Sequence, residues 1–377
     1  MTVDPGALDT GDVRRLLTGA RWFSGKDRGL RDARVASVPV VSGALALALV
    51  EVAYEGGSSE LYQLALATDG AEPGDALARP DLVAELCRLA DVDTPARTIR
   101  RIEVEQSNTS VVVDERHVLK LLRRIEAGRN PEIELLGALA RRGFAAVPRL
   151  EGAIEVVTPF PVALAALTAF VPSAGDGWNL ALDSLGSDPG WLPERAPRLG
   201  AITAGLHAAL AADRDLSTRP PVGDELVRLA AEVVAGLGGL DAAEICAELA
   251  VAELQALATE LGRKARPTTL ARVHGDFHLG QVLWADTGDW VVIDLEGEPG
   301  RSLEERRRHR SVVRDIAGMT RSFAYGGDGA RMLRGAGAPE GWLEACRAGF
   351  LDGYLDGADP RLVPPDRREL EHVLALF

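Results

Sequence analysis

The sequence contains few cysteines. Only three occur in 377 residues, at Cys87, Cys246 and Cys346, and they lie far apart without the spacing of metal ligands. Such a pattern disfavours both a disulfide framework and a zinc site. Each cysteine is therefore expected to pack as a small hydrophobic side chain in a reducing compartment.

Long hydrophobic runs are also missing. No apolar stretch approaches the roughly 20 residues that a membrane-spanning helix needs. The N-terminal Met-Thr-Val-Asp-Pro-Gly lacks the basic and apolar segments of a signal peptide, so we expect a cytoplasmic protein. Hydrophobic residues nevertheless make up 46% of the chain, which favours a globular enzyme over a disordered scaffold.

Basic residues are fewer than acidic residues. The 42 lysines and arginines face 56 aspartates and glutamates, which gives a formal net charge of -14. A chain this acidic is not expected to bind nucleic acid or an anionic membrane through a general basic face. The sequence does not determine the oligomeric state, and a monomer is the default expectation.

The densest group of candidate catalytic residues surrounds a predicted β-hairpin. Two apolar runs, Val282–Trp284 and Trp290–Leu295, flank an Ala-Asp-Thr-Gly-Asp connection that is typical of a hairpin turn. The hairpin would bring together carboxylate and amide oxygens that a solvated surface hairpin does not need. The polar residues at its two ends are His274, Asp276, His278, Gln281, Asp294, Glu296 and Glu298.

The spacing of these residues indicates phosphoryl transfer. Asp276 precedes Gln281 by five positions, as the base Asp precedes the metal-binding Asn in a protein-kinase catalytic loop, and Asp294 follows where a second metal ligand would lie. We therefore predict that Asp276 is the catalytic base and that Gln281 and Asp294 bind Mg²⁺. The alternative is a polar turn beside a hairpin, with its histidines hydrogen-bonded in a core.

Residues 97–172 are interpreted as a nucleotide-binding lobe. Strands are predicted at Ile99–Glu105, Val111–Val113 and His117–Leu122, with a polar turn at Gln106–Ser110. Kinase turns of this kind use glycine to let backbone N–H groups approach the phosphates, and this turn has none. An ordinary hairpin turn is the alternative. The side chains that could donate to phosphate instead are those of Ser107, Asn108, Thr109 and Ser110.

Lys120 interrupts the apolar run Val118–Leu122, where a charge costs free energy unless it is paired or faces outward. It matches the strand lysine that holds the α and β phosphates in kinases. An Asn-Pro pair at 130–131 predicts the start of a helix, with Glu132 and Glu134 in its first turn. Either glutamate could simply favour the helix dipole. As the partner of Lys120 we favour Glu134 over Glu132.

Helical patterns dominate after residue 178. Pro197–Ala212 predicts a helix that carries His207, for which packing or a local hydrogen bond is the expected role. Two more helices are predicted within Pro221–Gly262. A capping box at 302–305 begins another, whose arginines would form a solvated basic face. An aromatic stripe predicts a further helix at Gly341–Tyr354.

The catalytic stretch resembles the core of aminoglycoside-phosphotransferase-like kinases. Its longer form comprises His-Gly-Asp-Phe-His-Leu-Gly-Gln at 274–281, Ile-Asp-Leu-Glu-Gly-Glu-Pro at 293–299 and Arg-Asp-Ile-Ala-Gly-Met at 314–319. This form is similar to actinobacterial maltokinases and the related glucosamine kinases. The resemblance covers about residues 95–357, and Arg-Trp-Phe-Ser-Gly-Lys at 21–26 resembles the entry of their N-terminal cap.

The resemblance implies a bilobal, protein-kinase-like fold of the α/β (α+β) class. An N-terminal cap subdomain (1–94) would precede a nucleotide-binding small lobe (95–172) and a mainly helical, acceptor-binding C-lobe (173–377). ATP and Mg²⁺ are the implied cofactors. Backbone groups around Ala169 and Val171 would meet the adenine edge.

The resemblance also limits the expected acceptor to a sugar. Glucosamine phosphorylated at its 6-hydroxyl is the first expectation, and maltose phosphorylated at the anomeric hydroxyl is the alternative. A nucleotide- or sugar-binding module that has lost its chemistry is a further alternative. The Arg314-Asp315 pair would buttress the catalytic loop. The residues expected on the acceptor side are His278, Glu296, Glu298, Arg314 and Trp342.

Overall fold

A computed structural model describes most of the chain. The chain folds into two compact units. The first unit comprises residues 1–137, 148–172 and 299–303, and the second comprises 138–147, 173–298 and 304–377. The described residues are 4–102, 107–157, 160–220, 256, 268–364 and 366–374. The predicted helices of 221–262, the strand residues 103–105 and the C-terminal residues 375–377 lie outside this described part.

The first unit is built on two antiparallel sheets. One sheet has the order β1-β2-β3-β4, with β8 added to β3, and the other has the order β5-β6-β7-β10-β9. The strands are β1 (Leu30–Ser42), β2 (Leu45–Tyr54), β3 (Ser59–Ala67), β4 (Gly74–Asp75), β5 (Ile99–Arg101), β6 (Thr109–Val113), β7 (His117–Leu121), β8 (Arg124–Ile125), β9 (Leu150–Val156) and β10 (Val162–Ala169). The helices are α1 (Thr10–Thr18), α2 (Pro80–Leu89) and α3 (Pro131–Arg141), and the last four residues of α3 belong to the second unit.

Local sequence signals explain where these elements begin. Helix α3 starts at Pro131, as predicted, and Asn130 Oδ1 accepts a hydrogen bond of 3.1 Å from the N–H of Ile133. Strand β2 is apolar on both faces because each face packs into a different apolar cluster, Leu45, Leu47 and Leu49 into one and Ala48, Val50 and Val52 into the other. One apolar cluster includes residues from both sheets and from α2, so the unit has a continuous core.

The second unit combines a small sheet with helices. The sheet has the order β11-β12-β13, formed by β11 (Ser173–Asp176), β12 (Val282–Ala285) and β13 (Trp290–Val292). Its helices are α4 (Gly177–Ser184), α5 (Trp191–Ala212), α6 (Leu303–Arg306), α7 (Val313–Arg334), α8 (Trp342–Gly357) and α9 (Arg367–Leu374). No helix in the described part of the chain is long and apolar enough to cross a membrane.

The predicted hairpin is confirmed as β12 and β13, with Val282 opposite Val292. Strand β13 ends at Val292, before the predicted end at Leu295. Asp294 adopts a left-handed φ of 60°, which an extended strand cannot accommodate. The backbone therefore turns out of the sheet at the residue predicted to bind metal.

Helices α5 and α8 cross at very short distance because glycines lie at the contact. A Cβ atom at Gly200 would overlap the carbonyl oxygen of Phe350, and one at Gly353 would overlap that of Pro197. Helix α5 begins at Trp191, six residues before the predicted start, so Pro197 lies inside the helix instead of opening it. Proline removes one backbone donor there without ending the helix.

Candidate active site

The backbone of the catalytic loop is held by Asp315 in the first turn of α7. Its Oδ2 accepts the N–H of His274 at 2.7 Å, and its Oδ1 accepts the N–H of Gly275 at 2.9 Å. Burial alone would raise the pKa of this carboxyl. The hydrogen bonds from His207 and from the Gly275 N–H instead hold the pKa of Asp315 below its usual value. Asp315 is thus an anion that buttresses the loop.

Asp276 follows directly after these two anchored residues and is half-buried. Its N–H donates to His274 Nδ1 at 3.4 Å, and His274 Nε2 lies 2.9 Å from the carbonyl oxygen of Ile293. Because Nδ1 accepts, the proton of a neutral His274 is on Nε2 and donates to Ile293. The imidazole therefore ties the loop to the chain beyond β13, and the role of Asp276 as catalytic base remains a prediction.

Helix α7 approaches the same loop closely along one face. A Cβ atom at Gly318 would lie 2.5 Å from the carbonyl oxygen of Phe277, so only glycine fits at this contact. One turn later, Ser322 Oγ accepts the N–H of Leu279 at 3.2 Å and donates to Met319 O at 2.7 Å. Sequence reasoning assigned no role to Gly318 or Ser322. The glycine inside a helical pattern was the available signal.

Gln281 and Asp294, the predicted metal ligands, lie together at one end of the hairpin. Gln281 Nε2 donates to Asp294 Oδ2 at 3.0 Å, and the backbone of Gln281 accepts the N–H of Ile293 at 3.0 Å. The amide of Gln281 is therefore oriented with its N–H group toward Asp294. Its carbonyl oxygen is left as a second hard oxygen ligand for a metal ion. Carboxylate and amide oxygens are the donor set that Mg²⁺ prefers, so these residues fit that ion.

His278 has a clear local role. Its Nδ1 accepts the N–H of Gly280 at 3.0 Å and caps the short 3₁₀ helix Leu279–Gln281. Burial lowers the pKa of His278, and the nearby charge of Asp276 opposes that shift only in part. This arrangement implies that the imidazole of His278 is neutral and that it shapes the turn before Gln281. Contact with the acceptor, as predicted from sequence, remains a prediction.

The acidic residues after Asp294 are paired with arginines of α6 and α7. Arg314 Nη2 lies 3.1 Å from Glu298 Oε2, and Arg306 Nη1 donates to the carbonyl oxygen of Glu296 at 3.3 Å. The predicted solvated basic face is wrong for Arg306, whose side chain is only 12% exposed. Its location beside Glu296 explains the difference, since a carboxylate and a carbonyl are both within its reach.

Trp342 is placed in the core at the start of α8. It is 3% exposed, and its ring packs against Gly326 and Gly327 of α7. The indole is therefore packed between helices α7 and α8. The acceptor-side role expected for Trp342 from the sequence would need more exposed ring surface than the structure provides.

In the first unit, Lys120 lies on β7 and is 8% exposed. Its Nζ forms an ion pair of 3.1 Å with Glu132 Oε2, whereas the sequence favoured Glu134. Two residues along a helix differ by about 200° in direction, so the two carboxylates cannot both point the same way. Glu132 is buried and Glu134 half-buried, which agrees with Glu132 facing the strand.

The polar turn before β6 is organised by Arg123, a residue that sequence reasoning missed. The N–H of Arg123 donates to Asn108 Oδ1 at 3.2 Å, and its Nε donates to Thr109 Oγ1 at 2.9 Å. Thr109 and Ser110 belong to β6 itself, so the predicted turn is shorter than expected. Burial lowers the pKa of Arg123 to about 10, and the guanidinium stays charged at neutral pH. Ser107 is exposed.

The two predicted adenine contacts lie at the end of β10. Ala169 is the last residue of the strand, and its N–H donates to the carbonyl oxygen of Arg149 at 2.9 Å. Val171 lies two residues beyond the strand, where the sheet does not use its backbone. Contact of either residue with an adenine base remains a prediction.

Comparison with known families explains this arrangement. The model of the phosphotransferase enzyme family (APH) matches residues 98–297, more than half of the chain. The chain belongs to this family. The model of the maltokinase N-terminal cap domain matches residues 17–93. Together the two matches confirm the resemblance that the sequence motifs indicated.

Two curated relatives are glucosamine kinases. The protein of Streptacidiphilus jiangxiensis is 35% identical over 344 residues, which cover 82% of this chain and 74% of the relative. The protein of Mycolicibacterium smegmatis (strain ATCC 700084 / mc(2)155) is 31% identical over 243 residues, which cover 61% of this chain and 59% of that relative.

Solved structures agree with the curated relatives. A glucosamine kinase in complex with glucosamine, ADP and inorganic phosphate matches with a TM-score of 0.69 and 25% identity, covering 100% of this chain and 98% of that one. A crystal form of a glucosamine kinase matches with a TM-score of 0.70 and 25% identity, covering 100% and 97%. The predicted fold class, a kinase-like α/β fold, is confirmed by this likeness.

Proposed function

We propose that this protein is an ATP-dependent kinase that phosphorylates glucosamine to glucosamine 6-phosphate. The single geometric observation that carries the proposal is the anchored catalytic loop, in which Asp315 fixes the backbone directly before Asp276. Family membership and 35% identity to a glucosamine kinase over most of the chain support the same reaction.

Asp276 would act on the acceptor hydroxyl. Its carboxylate accepts a hydrogen bond from the sugar hydroxyl and takes the proton as the new oxygen–phosphorus bond forms and the bond to ADP breaks. Gln281 and Asp294 would hold Mg²⁺, which neutralises charge on the phosphates when bound. Lys120, oriented by Glu132, would donate hydrogen bonds to the α and β phosphates.

The acceptor is proposed from charge as well as from similarity. Glucosamine carries an ammonium group at neutral pH, and a carboxylate at hydrogen-bond distance would add a charge-assisted contact. Glu298 is a candidate, although its Oε2 is shared with Arg314 at 3.1 Å. Maltose phosphorylated at its anomeric hydroxyl is the second candidate, because residues 17–93 match the maltokinase cap domain.

The test is kcat/KM for a panel of acceptors, measured by ADP release at one concentration of ATP and magnesium. The panel contains glucosamine, N-acetylglucosamine, glucose and maltose. Acetylation removes the charge of the amine, so the proposal expects N-acetylglucosamine to be a much poorer substrate than glucosamine. A preference for maltose, or equal efficiency with both amino sugars, would contradict the assignment of glucosamine.

A cytoplasmic location and a monomeric state complete the proposal. Cys87 and Cys346 are free and buried, and burial raises the pKa of each thiol to about 12. Such thiols are unreactive packing groups, as expected of a protein in a reducing compartment. The third cysteine, Cys246, lies outside the described residues.

A further inference from the structure

A chain of buried polar side chains runs through the helices of the second unit. Tyr354 on α8 lies 2.9 Å from His207 Nδ1, and His207 Nε2 on α5 lies 3.1 Å from Asp315 Oδ2 on α7. Each of the three residues is 1% exposed. The chain ends at the two backbone N–H groups that Asp315 accepts from His274 and Gly275.

Hydrogen-bond chemistry fixes the direction of this chain. Because Asp315 is ionised, its oxygens can only accept, so His207 Nε2 must carry a proton in either charge state. In neutral His207 the other nitrogen accepts, and the Tyr354 hydroxyl donates to it. Burial raises the pKa of Tyr354, which keeps that hydroxyl protonated. The tyrosine therefore holds the imidazole in the form that donates to Asp315.

Packing alone does not require these side chains. Phe350 and Phe323 pack in the same region, and the rings of Phe350 and Tyr354 are 6.5 Å apart. A phenylalanine and a leucine would fill comparable volume at positions 354 and 207 without the cost of burying polar groups. The glycine contacts between α5 and α8 bring these two polar side chains together.

We propose that His207 and Tyr354 are positioning residues for phosphoryl transfer. They orient the Asp315 carboxylate so that its two oxygens accept the N–H groups of His274 and Gly275, and this in turn places Asp276. The proposal rests on the proposed kinase function only for its kinetic test. Neither residue touches the reacting atoms.

Four variants test this role. His207→Leu removes the donor, His207→Gln restores an N–H group near the location of Nε2, and Tyr354→Phe removes only the hydroxyl. Thr203→Val is the matched control, since Thr203 lies one turn before His207 on α5, is fully buried and bonds only within its own helix. Each variant is assayed for kcat, for KM of ATP and glucosamine, and for thermal unfolding.

We expect kcat of His207→Leu to fall by about 100-fold and that of Tyr354→Phe by about 10-fold, since small misplacements of a reacting group have such effects. The KM for ATP should change by less than about threefold, because in the proposed reaction Asp276 contacts the acceptor and not ATP. His207→Gln should recover most of the loss. The control should lose stability at most, with kcat unchanged.

A second readout does not depend on activity. Hydrogen exchange of the peptide that contains residues 272–279 should be faster in His207→Leu than in wild type or in Thr203→Val. If the wild type phosphorylated no sugar, the proposed function would be contradicted. Hydrogen exchange would still test whether His207 and Asp315 anchor the catalytic loop. If His207→Leu matches the control in both exchange and kcat, or if His207→Gln is no better than His207→Leu, the positioning role is wrong. Should His207→Leu fail to fold, Tyr354→Phe and His207→Gln carry the same comparisons.

Discussion

Asp315→Asn is the most informative change to the site because it alters charge with almost no change in shape. The carboxylate accepts three hydrogen bonds, from His274 N–H at 2.7 Å, Gly275 N–H at 2.9 Å and His207 Nε2 at 3.1 Å. An asparagine offers one oxygen and one NH₂ group. The least costly orientation keeps the oxygen toward His274 and His207 and points NH₂ at the N–H of Gly275.

The expected loss of folding stability follows from the number of hydrogen bonds that the asparagine loses or weakens. Hydrogen bonds to a charged group contribute about 1.5–3 kcal/mol each, so losing one and weakening two should destabilise the fold by about 2–4 kcal/mol. The catalytic loop would shift at Gly275, and kcat should fall by about 100-fold with little change in KM for ATP. Urea denaturation and steady-state kinetics measure the two effects.

Asp289→Asn provides the control. This carboxylate at the hairpin tip bonds Arg198 and is 37% exposed, so its loss should cost under about 1 kcal/mol. The reasoning about Asp315 would be refuted if both variants lost similar stability and if Asp315→Asn kept kcat within about threefold of wild type.

The lowered pKa of Asp315 adds a pH dependence with a definite sign. A carboxyl whose folded pKa lies below its unfolded value contributes stability in full above the unfolded value, about 3.9, and loses it as pH falls through the folded value. The stability difference between wild type and Asp315→Asn should therefore be constant near neutral pH and shrink below about pH 4.

Three further predictions concern the loop and the hairpin. Asp276→Asn should reduce kcat by about 10² to 10⁴-fold while ATP affinity changes little, and retention of a tenth of the wild-type rate would remove the base assignment. Asp294→Asn keeps a residue that tolerates a φ of 60°, so it should lose activity with less loss of stability than Asp294→Ala. The activity of Gln281→Ala should be partly rescued by more magnesium or by manganese. Unchanged metal dependence of the rate in all three variants would refute the metal site. Gly318→Ala should destabilise the protein and lower kcat because its Cβ would lie 2.5 Å from the Phe277 carbonyl oxygen, and a wild-type melting temperature would refute that contact.

The parts of the site that sequence could predict are local in the chain. Asp276, Gln281 and Asp294 flank one hairpin, whose two ends the strand pairing brings together, and the Asn-Pro pair begins α3 as expected. The left-handed φ of Asp294 was not predictable, because a strand and a sharp turn give similar apolar patterns over three residues.

The parts that sequence could not predict depend on contacts between distant segments. His207 and Asp315 are 108 positions apart, and nothing in either helix pattern indicates that they meet. Arg123 was missed because a charged residue after a strand is usually exposed, whereas here it holds Asn108 and Thr109. The choice between Glu132 and Glu134 required the rotation of α3, which the sequence does not determine.

The measurement that tests the central claim most directly is the identity of the product. The wild-type protein is incubated with glucosamine, ATP and magnesium, and the site of phosphorylation is determined by phosphorus and proton NMR, with Asp276→Asn in parallel. The account predicts glucosamine 6-phosphate from the wild type and almost none from the variant. Phosphate on the anomeric oxygen, no transfer to the sugar, or equal product from both proteins would contradict it.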